Sequence, residues 1–188
     1  MVFNKEQKKI REVDRLINVS LIKSEMQQYH NYIKQHDNLE AWYYNNLDYY
    51  DQKIKNYEEQ LKNIKSPNTS EDIAVAKAVD KSSQINSIMD KIKDTKNAKI
   101  LWLKGNNSIY FSNLAHWNQR IATVLSYVES IENEKDKDFI RKMYIEKIDY
   151  RELMKEYEIK ENCNLYRKAT NILKKLVWWY FLHGFKVV

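Results

Sequence analysis

In 188 residues this chain has two glycines, Gly105 and Gly184, and one proline, Pro67. Tight turns draw on residues that tolerate positive φ or preset a bend, so a chain with three of them can make few sharp reversals. A sheet needs many such reversals; long helices need few. The expected fold is therefore all-α.

Apolar spacing supports this and divides the chain. Ile10, Val13, Ile17 and Leu21 recur at helical intervals and define a first amphipathic helix that runs to about His36. After an expected break at 36–38, Tyr43, Leu47, Tyr50, Ile54, Tyr57, Leu61 and Ile64 step alternately by four and three, a coiled-coil-like seam. The stretch "KSPNTSED" interrupts it, with Pro67 disfavouring helix at Ser66 and Ser70 placed to cap the next helix. That helix is expected from about Glu71 through Ile85, Ile88, Met89 and Ile92 toward Leu103. A further break is expected at "KGNNS", 104–108, where Gly105 can take a left-handed cap. Leu114, Trp117, Ile121, Val124, Val128 and Ile131 then form a second seam. Two seams suggest packing on each other or on a second copy, and the spacing leaves both open. The alternating charges of "ENEKDKD" mark a hinge, so a helical region over 1–134 and a distinct unit over 135–188 are expected.

A single cysteine, Cys163, permits no internal disulfide, and the longest apolar run, Leu176 to Leu182, falls far short of the ~20 residues of a membrane span. No secretory leader is evident in the residue pattern, and a cytoplasmic setting in a bacterial host cell and no membrane partner are expected. His30, His36, His116 and His183 have no common zinc spacing, no glycine-rich phosphate loop occurs, and no triad or carboxylate pair stands out. Neither a metal, a cofactor nor an enzyme is expected.

Charge is more informative. Five of the net six positive charges fall after Glu161, where no acidic residue remains. Three short helices can be read from Lys137 to Leu176: one presenting Phe139, Ile140, Met143 and Tyr144; one capped by Asp149 with Glu152 three residues on and Leu153 and Tyr157 inside; and one starting near Asn162 as its cap. Burying Leu165, Ala169, Ile172 and Leu176 turns Asn164, Arg167, Lys168, Asn171 and Lys175 outward. Arg and Lys donate to guanine edges and phosphates, and Asn pairs with adenine, so a basic helix behind a short turn fits the helix-turn-helix pattern and double-stranded DNA.

"FIRKMYIEKIDYRELMKEYEIKENCNLYRKATNILKKL", residues 139–176, resembles the sigma factor region 4-like helix-turn-helix of phage ArpU-like and RinA-like transcriptional regulators. Phe139, Ile140 and Tyr144 match the first helix, Ile159 the turn, Leu165, Tyr166 and Arg167 the opening of the recognition helix, and Ile172, Leu173, Lys175 and Leu176 its close. "SPNTS" matches the family's upstream break. Lys160 stands where the family has a capping Ser, and one residue is inserted before Leu165. The resemblance implies promoter binding through the helix from Asn162, with the upstream helices supplying dimerisation or contact to RNA polymerase. Arg151, Lys160, Asn162, Asn164, Tyr166, Arg167, Lys168, Asn171, Lys174 and Lys175 are the expected DNA-binding residues.

Trp42, Tyr43, Tyr44, Tyr50 and Trp117 are the expected protein-interface residues, since the aromatics of "AWYYNNLDYY" cannot all share one helix face. The aromatic tail "LVWWYFLHGF" is apolar all round and is expected to fold back. Two rival functions share these features: a terminase small-subunit-like packaging protein, and a helical adaptor or inhibitor that binds only protein. In the adaptor, Arg167 and Lys168 would be buried or paired with acids.

Overall fold

A computed structural model describes the backbone of residues 3–65 and 74–182 and the side chains of 18–64 and 81–177. These residues form helices and no strand: α1 (Phe3–Lys65), α2 (Ala74–Glu129), α3 (Glu134–Ile140), α4 (Tyr150–Glu156) and α5 (Asn162–Leu182). The expected all-α class is what is found. No described helix is long and apolar enough to cross a membrane. The expected break at 65–70 and the aromatic tail beyond Val177 lie outside the described side chains.

Two expected breaks are absent. α1 runs unbroken through His36, Asp37 and Asn38, and α2 through Lys104 to Ser108. The polar residues here cost up to about 0.7 kcal/mol each in a helix and Gly105 about 1, whereas a break leaves four carbonyls and four amides to be satisfied elsewhere. Local bonds also occupy the side chains that would otherwise compete with the backbone. His36 Nδ1 lies 3.1 Å from Asp37 Oδ1, and Asn106 Nδ2 donates to the Trp102 carbonyl one turn back at 2.8 Å. Asn107 accepts from the Tyr43 hydroxyl at 2.7 Å. Gly105 is thus a helix-interior glycine, and a Cβ added there would meet nothing within 4 Å.

The compact units also fall elsewhere than at 134/135. One comprises residues 1–35 and 116–188, the other 36–115. The second is an antiparallel pair of helix segments from α1 and α2, whose register is set by Tyr43 against Asn107 and by Lys99, which binds Asp51 at 2.6 Å. Tyr43 and Tyr50 of the first seam face this partner. Tyr43 stacks on Tyr110 at 3.8 Å between centroids, and Trp102 packs beside Tyr43 and Tyr50.

In the other unit the second seam closes a core with the start of the chain. Val124, Val128 and Ile131 belong to one buried cluster with Val19, Ile22, Met26, Tyr29 and Tyr32 of α1 and with residues of α3, α4 and α5. Leu21, expected inside, is 59% exposed. Among the described residues the inner stripe of α1 is Val19, Ile22, Met26 and Tyr29, which keep a 3-4-3 step, while Ile10, Val13 and Ile17 lie outside the described side chains. Glu25 adds a surface tie to Arg120 at 2.8 Å.

Candidate nucleic-acid interface

The C-terminal helices are positioned by caps and turns written locally. Asn133 caps α3 by accepting from the Asp136 amide at 3.0 Å, and Asp149 caps α4 by accepting from the Arg151 amide at 2.8 Å. α3 continues as a widened turn over Arg141–Ile145, closed by Glu146 N donating to the Arg141 carbonyl. Lys147 ends it at φ 53°.

α4 ends in a Schellman turn. The Ile159 amide donates to the Met154 carbonyl at 2.8 Å and the Glu158 amide to that of Lys155 at 3.4 Å, with Glu158 at φ 53°. Glycine is the usual residue at this left-handed position, and the chain reverses here without it. Five residues, Tyr157 to Glu161, separate α4 from α5.

α5 begins at Asn162, so the residue before it, Glu161, holds the cap position that was expected for Asn162. The Glu161 carbonyl accepts from the Asn164 amide at 3.0 Å, and its carboxylate accepts from Asn164 Nδ2 at 3.3 Å. The expected inner stripe is found: Leu165, Ala169, Ile172 and Leu176 are buried, joined by Leu173 and Val177.

On the other side of α5 the expected DNA-binding residues divide. Asn162, Arg167 and Asn171 are exposed, and Lys175 is exposed with its ammonium 3.6 Å from Asp136. Arg167, Asn171 and Lys175 recur every four residues and form one ridge along the helix. Among the described residues Arg167 has no hydrogen bond or ion pair. Tyr166 is 45% exposed beside this ridge, and Lys23 of α1 sets its ammonium 5.7 Å from the Tyr166 ring. Lys174 is half-buried. Arg151 and Lys160 are exposed outside α5, the former with its guanidinium over the Tyr150 ring at 5.6 Å.

Lys168 departs from its expected outward place. It is half-buried, with its ammonium 4.8 Å from the Phe139 ring and 4.6 Å from the Tyr157 ring. The helical position is outward, but the long stem lets the cation reach the faces of two rings that also pack edge to face. Lys168 thus anchors α5 to the preceding helices. Asn164, tied to Glu161, is also half-buried.

A polar cluster supports the same anchor. The Tyr157 hydroxyl donates to Asp138, and Lys142 pairs with Asp138 at 2.9 Å and with Glu156. The Tyr157 bond, and then Lys142, hold the Asp138 carboxyl below the usual range. Burial first, and then Asp138, push the Tyr157 hydroxyl up. Tyr144 is buried beneath, its hydroxyl without a hydrogen-bond partner, and burial pushes it up to about 12.

Sequence reasoning did not find Lys23, because nothing local links it to a helix some 140 positions later. Nor did it find the Asp138–Lys142–Glu156–Tyr157 cluster, whose members lie on separate helices. The expected interface aromatics divide too. Tyr43, Tyr50 and Trp117 pack within the chain, Trp117 stacking on Tyr32 at 6.0 Å, whereas Trp42 and Tyr44 remain exposed. Tyr43 is corrected from interface to core because it points into the seam. On α1, His36, Asp37 and Glu40 bring three metal-capable groups within 4.8 Å of one another, in an open setting on the helix surface. Compared with family models, curated proteins and solved structures, the chain finds no match.

Proposed function

We propose that this chain is a sequence-specific DNA-binding transcriptional regulator of phage or prophage type. In this proposal α4 and α5 act as a helix-turn-helix and α5 enters the major groove. The observation that carries the proposal is the exposed ridge of Arg167, Asn171 and Lys175. It lies on a helix with no acidic residue, whose opposite face is fixed by packing.

Each residue then has a chemical task. Arg167 donates two N–H groups of its guanidinium to the O6 and N7 of a guanine, Asn171 pairs with an adenine, and Lys175 meets phosphate. Tyr166 and Lys23 flank the ridge as backbone contacts, and Lys168 holds the helix at its working angle. Arg167 also weighs against the adaptor alternative, which needs both Arg167 and Lys168 engaged by protein: only Lys168 is.

The test is a set of fluorescence anisotropy titrations on fragments selected from genomic DNA by the purified protein. Arg167→Ala is expected to weaken the selected site by about 1–3 kcal/mol and leave non-selected DNA little changed. Lys175→Ala is expected to weaken all sequences alike and lower the salt slope by about one. Wild-type binding by both variants, or no binding by the wild type, defeats the proposal.

A further inference from the structure

The 36–115 unit has an apolar flank that its own helices do not cover. Met89, Ile100 and Phe111 recur every eleven residues, a spacing that keeps them on one face of α2, and they are 54%, 50% and 57% exposed. Tyr44, 55% exposed, continues this face onto α1, and Phe111 contacts the rings of Tyr43 and Tyr110 at 6.4 and 5.0 Å. From Met89 to Phe111 the stripe is about 33 Å long, and two helices wide it covers about 650 Å². A standard interface takes about 800 Å² from each partner, so a flank of this extent, with apolar residues set among charged ones, approaches the size of an interface.

The charges beside it indicate the occupant. From His36 to Asp51, α1 carries Asp37, Glu40, Asp48 and Asp51 and no Lys or Arg; from Thr95 to Ala115, α2 carries Lys96, Lys99 and Lys104 and no acid. The acidic edge and the basic edge thus belong to the same flank of one chain. Within the chain Lys99 pairs with Asp51 and Lys96 with Glu58, while among the described residues Asp48 and Lys104 have no ion pair. A surface acidic along one helix and basic along the other complements itself when turned about an axis parallel to the helices. Tyr43 opposite Asn107 and Asp51 opposite Lys99 place Asp48 level with about residue 102, one short step from Lys104. The same operation therefore brings Asp48 of one copy beside Lys104 of the other.

We propose that this flank is the contact surface for a second copy of the chain. Two 36–115 units pair there about a two-fold axis parallel to their helices. The product is a four-helix bundle in which α1 of each copy lies beside α2 of the other, Met89, Ile100, Phe111 and Tyr44 being buried between them. Pairing does not depend on DNA, so it stands or falls separately from the proposed function.

Sedimentation equilibrium of the full chain without DNA tests this, with helix content followed by circular dichroism. The wild type is expected at twice its 22.8 kDa mass. Ile100→Glu with Phe111→Glu is expected at the monomer mass with helix content retained, and Leu101→Glu, off the stripe, as a dimer. Lys104→Glu and Asp48→Lys singly are each expected to raise the dimer dissociation constant roughly tenfold, and together to restore it. Should the apolar pair unfold the chain, this charge swap decides the matter. Four results overturn the proposal: a wild type that stays monomeric up to ~100 μM; a ring of eight or more copies; a dimer untouched by the stripe variants; or charge reversals that fail to compensate.

Discussion

The two units solve the burial problem to different degrees. The unit built from residues 1–35 and 116–188 closes segments of all five helices around one cluster, in which Met26, Phe139, Ile140 and Leu173 have no exposed surface. The 36–115 unit has two helix segments, and among its described residues only Tyr43, Ile88 and Tyr110 are buried. Two helices share one seam, and whatever stands on their flanks meets solvent or a partner. The same aromatic-rich composition is thus spent on a core in one unit and on surface in the other.

The sharpest break of this contrast is in the first core. Phe139→Ala is expected to cost about 3–5 kcal/mol in urea denaturation, because the ring leaves a cavity and Lys168 loses one of its two ring faces. A loss under 1 kcal/mol would mean that the cluster is loosely packed and the two units alike. Tyr144→Phe should act in the opposite sense. It removes a buried hydroxyl that has no hydrogen-bond partner, and is expected to stabilise by about 1–2 kcal/mol. Because the folded Tyr144 holds its proton up to about 12 against 10.0 for the free side chain, wild-type stability is lost as pH rises through that interval. The variant should show a shallower alkaline decline, measured by denaturation at stepped pH.

In the 36–115 unit, Gly105→Ala is expected to stabilise by about 1 kcal/mol, since the position is helical and open. A destabilised variant in thermal melts would show that Gly105 is needed for a close approach. The smallest effect is at acid pH. The Asp138 carboxyl is held below its ordinary 3.8, so its contribution is present above that value and fades as pH falls through the lowered one. Asp138→Asn should flatten the stability profile below about pH 4 and leave an alkaline limb carried by Tyr144 and by Tyr157, whose hydroxyl burial still pushes up.

Much of the fold was legible where spacing alone decides it. The stripe Leu165, Ala169, Ile172 and Leu176 and the cap at Asp149 follow from helical periodicity and first-turn chemistry. The continuity of α1 and α2 did not. Polar residues at 36–38 and Gly105 look like stops until Asn107 is seen to serve Tyr43 from the other helix. Leu21 failed for a related reason: both Leu21 and Ile22 can sit near an inner face, and the partner helices choose between them. At the candidate interface, periodicity placed Arg167, Asn171 and Lys175, but it fixes a Cα direction and not the end of a flexible chain. Lys168 accordingly turned back onto Phe139 and Tyr157.

The first unit takes its helices from both ends of the sequence, which fixes the order in which the chain can mature. Residues 36–115 leave the ribosome as one stretch, so their two helix segments can pair before α5 exists. Val19, Ile22 and Met26, made long before, must wait for Leu165, Ile172 and Leu173 to cover them. Until α5 is made, this stripe lacks some of the residues that close its core. A nonsense codon between the end of α2 and α5 would therefore yield a product with a sound middle and an uncovered apolar stripe, suited more to chaperones and proteases than to stable folding.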